Sequence, residues 1–146
     1  MHSPIVITGM GMVSPLGCNV KASWEGLLEG RSGVSQITRF DTAQIPIKIA
    51  GAVPHSIDDP VAGLYLDDIA DAKERRKMDL FSLYAMAAAK EALEQAGWQP
   101  TDEAQRRATA TIIGSGIGGF PTITEAQQTL QPVSYTHLTL ATICSV

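Results

Sequence analysis

Little in this chain suggests a membrane, a disulfide framework or a metal. No apolar run approaches the roughly 20 residues that span a bilayer. The opening Met1-His2-Ser3-Pro4 lacks the charged start and long apolar stretch of a secretory signal. A cytoplasmic protein with no membrane partner is expected. Two cysteines, Cys18 and Cys144, are too few for a disulfide framework; isolated cysteines in a reducing compartment are mostly small buried hydrophobes. The three histidines, His2, His55 and His137, lie far apart, and none stands at ligand spacing from a cysteine or carboxylate. No metal is predicted. Basic charge is also short: 11 Lys and Arg against 15 Asp and Glu leave a formal net charge of −4. That balance weighs against a general nucleic-acid binder, which needs a basic field to neutralise phosphates.

What is present suits one soluble globular domain: 146 residues, 45% apolar and 18% charged. The chain is organised around ATATIIGSGIGG at 108–119. Thr109, Thr111, Ile112 and Ile113 predict a buried, central strand. Gly114, Gly116, Gly118 and Gly119 then let another backbone or a ligand approach, so the stretch reads either as a functional loop or as a tight strand-to-helix turn packed against its neighbours. Beyond it, Thr122 and Glu125 stand three apart as a capping box for a helix running to about Leu130. Strand, glycine turn and helix indicate an α/β fold.

Residues 5–8 predict a first buried strand, followed by a loop at 9–17. Its spacing Gly9-x-Gly11-x-x-Ser14 approaches a dinucleotide fingerprint. Pro15, however, falls where a phosphate-binding helix should be under way, the third glycine is missing, and no acidic residue closes a second strand about 20 positions on. NAD or FAD binding is disfavoured.

A first helix is predicted from Asn19 as N-cap to Glu29, with Val20, Trp24, Leu27 and Leu28 on its core stripe and Gly30 as the stop. Residues 31–41 read as loop and 47–53 as a second strand bracketed by Pro46 and Pro54. The pairs Asp58-Asp59 and Asp67-Asp68 resemble a carboxylate dyad but read better as a solvated acidic surface. Lys73-Glu74-Arg75-Arg76-Lys77 is the one dense basic cluster, either a dock for an acidic partner or a solvated lead into the next helix. That helix is predicted from Asp79 to Gly97, kept thin by alanines at 85, 88, 89, 92 and 96 so that it can lie close to a neighbour. Residues 102–107 read as a polar link. The segment PVSYTHLTLATICSV at 132–146 carries no Asp, Glu, Lys or Arg; it reads as a non-native tail, outside a domain at 1–131.

Together VITGMGMVSPLG at 6–17, the Trp24-Glu25-Gly26-Leu27-Leu28 helix with Gly30 and Gly33, Arg39-Phe40-Asp41, KERRKMD at 73–79 and IIGSGIGG at 112–119 resemble the β-ketoacyl-[acyl-carrier-protein] synthases, closest to the type II elongating enzymes. The resemblance covers residues 4 to about 131. It implies a thiolase-like layered αβαβα fold of which this chain holds only the opening part of the first half. It also implies a homodimeric acyltransferase of fatty-acid synthesis without metal or redox cofactor.

The implied reaction is a decarboxylating Claisen condensation, which asks for a thiolate nucleophile, an oxyanion hole and two histidines. In the family the cysteine follows a further strand and helix beyond the glycine loop, so no catalytic residue is assigned, and Cys144 comes too soon to be the nucleophile. By the same resemblance, Lys73, Arg76 and Lys77 meet the acidic helix of acyl carrier protein, and Ile117 lines the acyl pocket near the dimer interface. Leu80 departs from the family, where many relatives have a basic or small residue. A chain of this extent is expected to be inactive alone and poorly soluble. The alternatives are a non-catalytic chain-length-factor-like partner of the same fold and, further off, a Rossmann-type dinucleotide-binding protein.

Overall fold

In the computed structural model, which describes residues 4–130, Asn19 starts the first helix as its sequence requires. Its side chain accepts the Ala22 N–H at 2.7 Å and satisfies one of the unpaired donors of α1 (Val20–Leu28). Gly30, at φ +68°, turns the chain out of the helix. The packed face of α1 is not the predicted one. Ser23 and Gly26 are buried, whereas Trp24, Leu27 and Leu28 are exposed. Small residues win because the Ser14–Gly17 turn lies directly on them: Ser23 Oγ donates to Gly17 O at 3.0 Å and sits 2.8 Å from Ser14 Oγ.

By contact the chain forms two compact units. The first comprises the described residues up to Ile69 and Ala85–Gln99. It holds α1 and a two-stranded antiparallel sheet, β1 (Val34–Gln36) with β2 (Ile49–Gly51), in which Ser35 faces Ala50. Residues 31–41, read as loop, thus contain a strand; with two of its three residues polar, β1 gave no apolar alternation. A 3₁₀ turn at Leu66–Asp68 follows. Among its described residues Ala62, Leu64 and Ala87 are buried apolar side chains.

The second unit comprises Ala70–Tyr84 and, of the described residues, 100–130. It holds the short α2 (Ala72–Arg75), the first turn of α3 (Leu80–Ala96), α4 (Glu103–Arg107) and α5 (Phe120–Leu130), with Ala70 and Leu83 buried. Helix α3 has the predicted extent and ends at Gly97, φ +63°. The polar link at 102–107 is itself a helical turn, because Asp102 caps it by accepting the Gln105 N–H at 2.8 Å.

Residues 5–8 and 109–113, predicted as buried strands, form no ladder among the described residues. Ile5 is fully exposed and Ile112 is 94% exposed. A β-forming composition describes how side chains suit a half-buried pleated surface, so it yields a strand only where a neighbour supplies that surface. Helices and a paired sheet are consistent with an α/β protein. The tail at 132–146, with Cys144, lies outside the described residues.

Candidate functional site

The alanine face of α3 meets the glycines of the first loop within the first unit. A Cβ on Gly9 would run into the Ala92 carbonyl oxygen, and one on Gly11 into that of Ala88. The match is geometric: two residues of extended chain advance about 6.6 Å, and four residues of helix about 6 Å. The loop's donors follow the same step. Met10 N–H donates to Gln95 Oε1 at 2.6 Å and Met12 N–H to Glu91 Oε2 at 2.9 Å, while Glu91 Oε1 accepts from Val20 N–H at 2.9 Å. The Gly-x-Gly spacing is therefore used for close packing on a helix, which leaves those amides nothing to offer a pyrophosphate.

A cavity of about 190 Å³ lies in the same unit, lined in part by Cys18, Tyr65, Lys90 and Glu94. Cys18 is half-buried, and its thiol donates to Pro54 O at 3.6 Å. Burial, and secondarily the Asp59 carboxylate, push its pKa up to about 11. A thiol held protonated is the opposite of an activated nucleophile. Asp59, of the first acidic pair, serves the backbone. Asp59 accepts the Ala62 N–H at 2.9 Å and the Val61 N–H at 3.0 Å, and these bonds hold its carboxyl below the ordinary range.

The residues singled out as a docking surface belong to the second unit. Asp71 caps α2 by accepting the N–H groups of Lys73 and Glu74, both at 2.8 Å. Arg76 continues the turn in the right-handed helical region. Lys73 lies in α2, Arg76 is its C-cap and Lys77 follows in the turn closed by its N–H to Glu74 O at 2.9 Å. All three are exposed and take part in none of the ion pairs found among the described residues. Three exposed cations within five residues, none in any of those ion pairs, concentrate positive charge locally on an acidic chain.

Two residues beyond Lys77, Asp79 precedes α3 and accepts the Thr122 hydroxyl at 2.7 Å. Thr122 was read as the cap of α5, but the helix begins two residues earlier, at Phe120, with Pro121 in its first turn, where a missing N–H costs little. Gly119, at φ +70°, makes the bend into it. A Cβ on Gly118 would stand 2.6 Å from the Phe81 ring. Residues 118 and 119 form the packed turn, whereas Gly114 and Gly116 face open space. Ile117 is 76% exposed between them. Sequence marks Asp79 and Thr122 only as helix starts, and Phe81 not at all, because a contact spanning 43 residues leaves no local pattern.

The sequence profile of the family described as "Beta-ketoacyl synthase, N-terminal domain" matches residues 2–145. The chain is 45% identical over 127 residues to 3-oxoacyl-[acyl-carrier-protein] synthase 2 of Rhizobium meliloti (strain 1021), across 87% of this chain and 30% of that protein. It is 40% identical over 126 residues to the protein of the same name from Vibrio cholerae serotype O1, across 86% of this chain and 28% of that protein. Among solved structures, "The ishigamide ketosynthase/chain length factor" superposes with a TM-score of 0.53 at 33% identity, over 64% of this chain and 21% of that one. The chain thus spans about 30% of the length of the curated relatives it matches.

Proposed function

The chain belongs to the β-ketoacyl synthase family, and from that premise we propose that it supplies the N-terminal, carrier-docking part of a type II 3-oxoacyl-[acyl-carrier-protein] synthase. The observation that carries this reading is the exposed triad Lys73, Arg76 and Lys77, clustered at α2 and the turn after it and joined through Asp79 to the glycine loop that bears Ile117. The triad offers an acidic carrier helix complementary charge, which steers encounter and fixes register. Ile117 is the apolar contact for the acyl chain.

The reaction of the whole enzyme is a decarboxylating Claisen condensation. An acyl group passes from the carrier thiol to an enzyme cysteine, malonyl carrier protein loses carbon dioxide, and the resulting carbanion attacks the acyl thioester. Cys18 is not proposed as that cysteine: burial pushes its pKa up to about 11 and its thiol donates to Pro54 O, which supports a structural role. Our reading places the nucleophile outside residues 4–130, and Cys144 is not assigned the role.

Within the layered αβαβα arrangement of a thiolase-like homodimer, residues 5–8 and 109–113 would become sheet strands. Their exposed Ile5, Ile7, Ile112 and Ile113 support that placement, since such side chains gain from cover. A chain-length-factor-like partner is the second reading, favoured by the ketosynthase/chain length factor structure to which the chain is similar.

Incubation of the chain with radiolabelled acyl carrier protein tests the assignment. A salt-sensitive complex without acyl label on the chain is expected; acyl label on Cys18 or Cys144 refutes it.

A further inference from the structure

Resting on the docking reading, we propose that Asp79 and Thr122 are positioning residues that latch the glycine loop to the end of the basic segment, so that Ile117 keeps a set place relative to Lys77.

The hydroxyls of α5 show the latch by contrast. Thr124 Oγ1 donates to Phe120 O at 3.0 Å and Thr129 Oγ1 to Glu125 O at 2.8 Å, each folding back on its own helix as threonines in helices do. Thr122, on the same helix, instead reaches Asp79 Oδ2 at 2.7 Å. The same carboxylate oxygen lies 2.9 Å from where a side chain on Gly119 would begin, and the Phe81 ring fills the corresponding space at Gly118. Gly118, Gly119 and Thr122 are thus held by Asp79 and Phe81, at and just before the start of α3, while Gly114 and Gly116 have open space around them. The loop is anchored at one end and free at the other.

Asp79 is two residues from Lys77, so whatever seats on the basic turn seats beside the anchor. Delivery of a carrier-borne acyl chain to Ile117 needs that spacing fixed, since small displacements of positioned groups are expensive in rate. The latch supplies it without touching the acyl chain.

Nuclear magnetic resonance on the full 146-residue chain tests this with Thr122→Val, which removes the hydroxyl at nearly constant shape, and Thr122→Ser, which keeps it. The valine variant is expected to lose the cross-peaks between the Phe81 ring and Gly118 and to raise amide exchange at Ile123, whose N–H bonds Gly119 O, about tenfold. The serine variant restores both. Acyl carrier protein affinity stays within about twofold in all three, because residues 73–77 are unchanged.

A valine variant with wild-type cross-peaks and exchange overturns the latch. Absence of carrier binding in every variant refutes docking instead, and the spectra of the free chain still decide the latch. Should Thr122→Val fail to fold, Phe81→Leu releases the loop from the other side; unmoved Gly118 and Gly119 signals in that variant overturn the proposal.

Discussion

Glu91 accepts the Val20 N–H on Oε1 at 2.9 Å and, with its other oxygen, takes the Met12 N–H at the same distance. One carboxylate on α3 thereby serves the first residue of α1 and the loop before it. The negative charge also sits at the positive end of the α1 dipole. Replacing Glu91 with Ala is expected to lower the stability of this unit by about 2 kcal/mol, and with Gln by about half as much, since hydrogen bonds to charged groups are worth roughly 1.5–3 kcal/mol each and these two are only partly shielded from water. Urea midpoints of the three proteins check the order.

Glycine substitutions should divide by location. Gly9→Ala and Gly11→Ala push a methyl into α3 carbonyls and cost about 2 kcal/mol or more. Gly114→Ala and Gly116→Ala meet nothing and stay within about 0.5 kcal/mol. Thermal melts of the four variants measure the difference.

How far the sequence reached follows the range of each interaction. Asn19 and Gly30 bound α1, and Gly97 ends α3, because caps and stops act over a few residues. Trp24 was placed inside and lies outside, since helical periodicity identifies an apolar stripe but not which face a neighbour covers. The alanines of α3 announced a close approach without naming Gly9 and Gly11 as what approaches. In the candidate site the basic turn was legible as a charge cluster. Its tie to the glycine loop was not, because Thr122 satisfies a local capping pattern while its hydroxyl serves a partner far along the chain.

Cys18 should be slow to alkylate. With a pKa near 11, about 0.1% is thiolate at pH 8, against roughly a tenth for an unshifted thiol. Iodoacetamide labelling followed by peptide mass spectrometry should find residue 18 far less modified in the native chain than in urea. Because the folded pKa lies above the unfolded value of 9.0, the stability linked to this thiol is fully present below pH 9 and is lost as pH rises through about 11.

Asp71 holds the basic turn together through two backbone N–H groups. Its replacement by Ala removes an N-cap worth about 1 kcal/mol, frays α2 and spreads the three cations. Carrier binding should weaken several-fold although no charge facing the carrier has changed, and Asp71→Ser, which can still cap, should recover most of it. Surface plasmon resonance with immobilised acyl carrier protein reads both.

The most direct test of the account is a calorimetric titration of acyl carrier protein into the chain and into its Lys73→Glu/Arg76→Glu/Lys77→Glu variant, at low and at high salt. Saturable binding by the wild type, weakened by salt as exposed charge pairs are and abolished by the reversal, is predicted. Equal binding by both proteins, or affinity indifferent to salt, would contradict it.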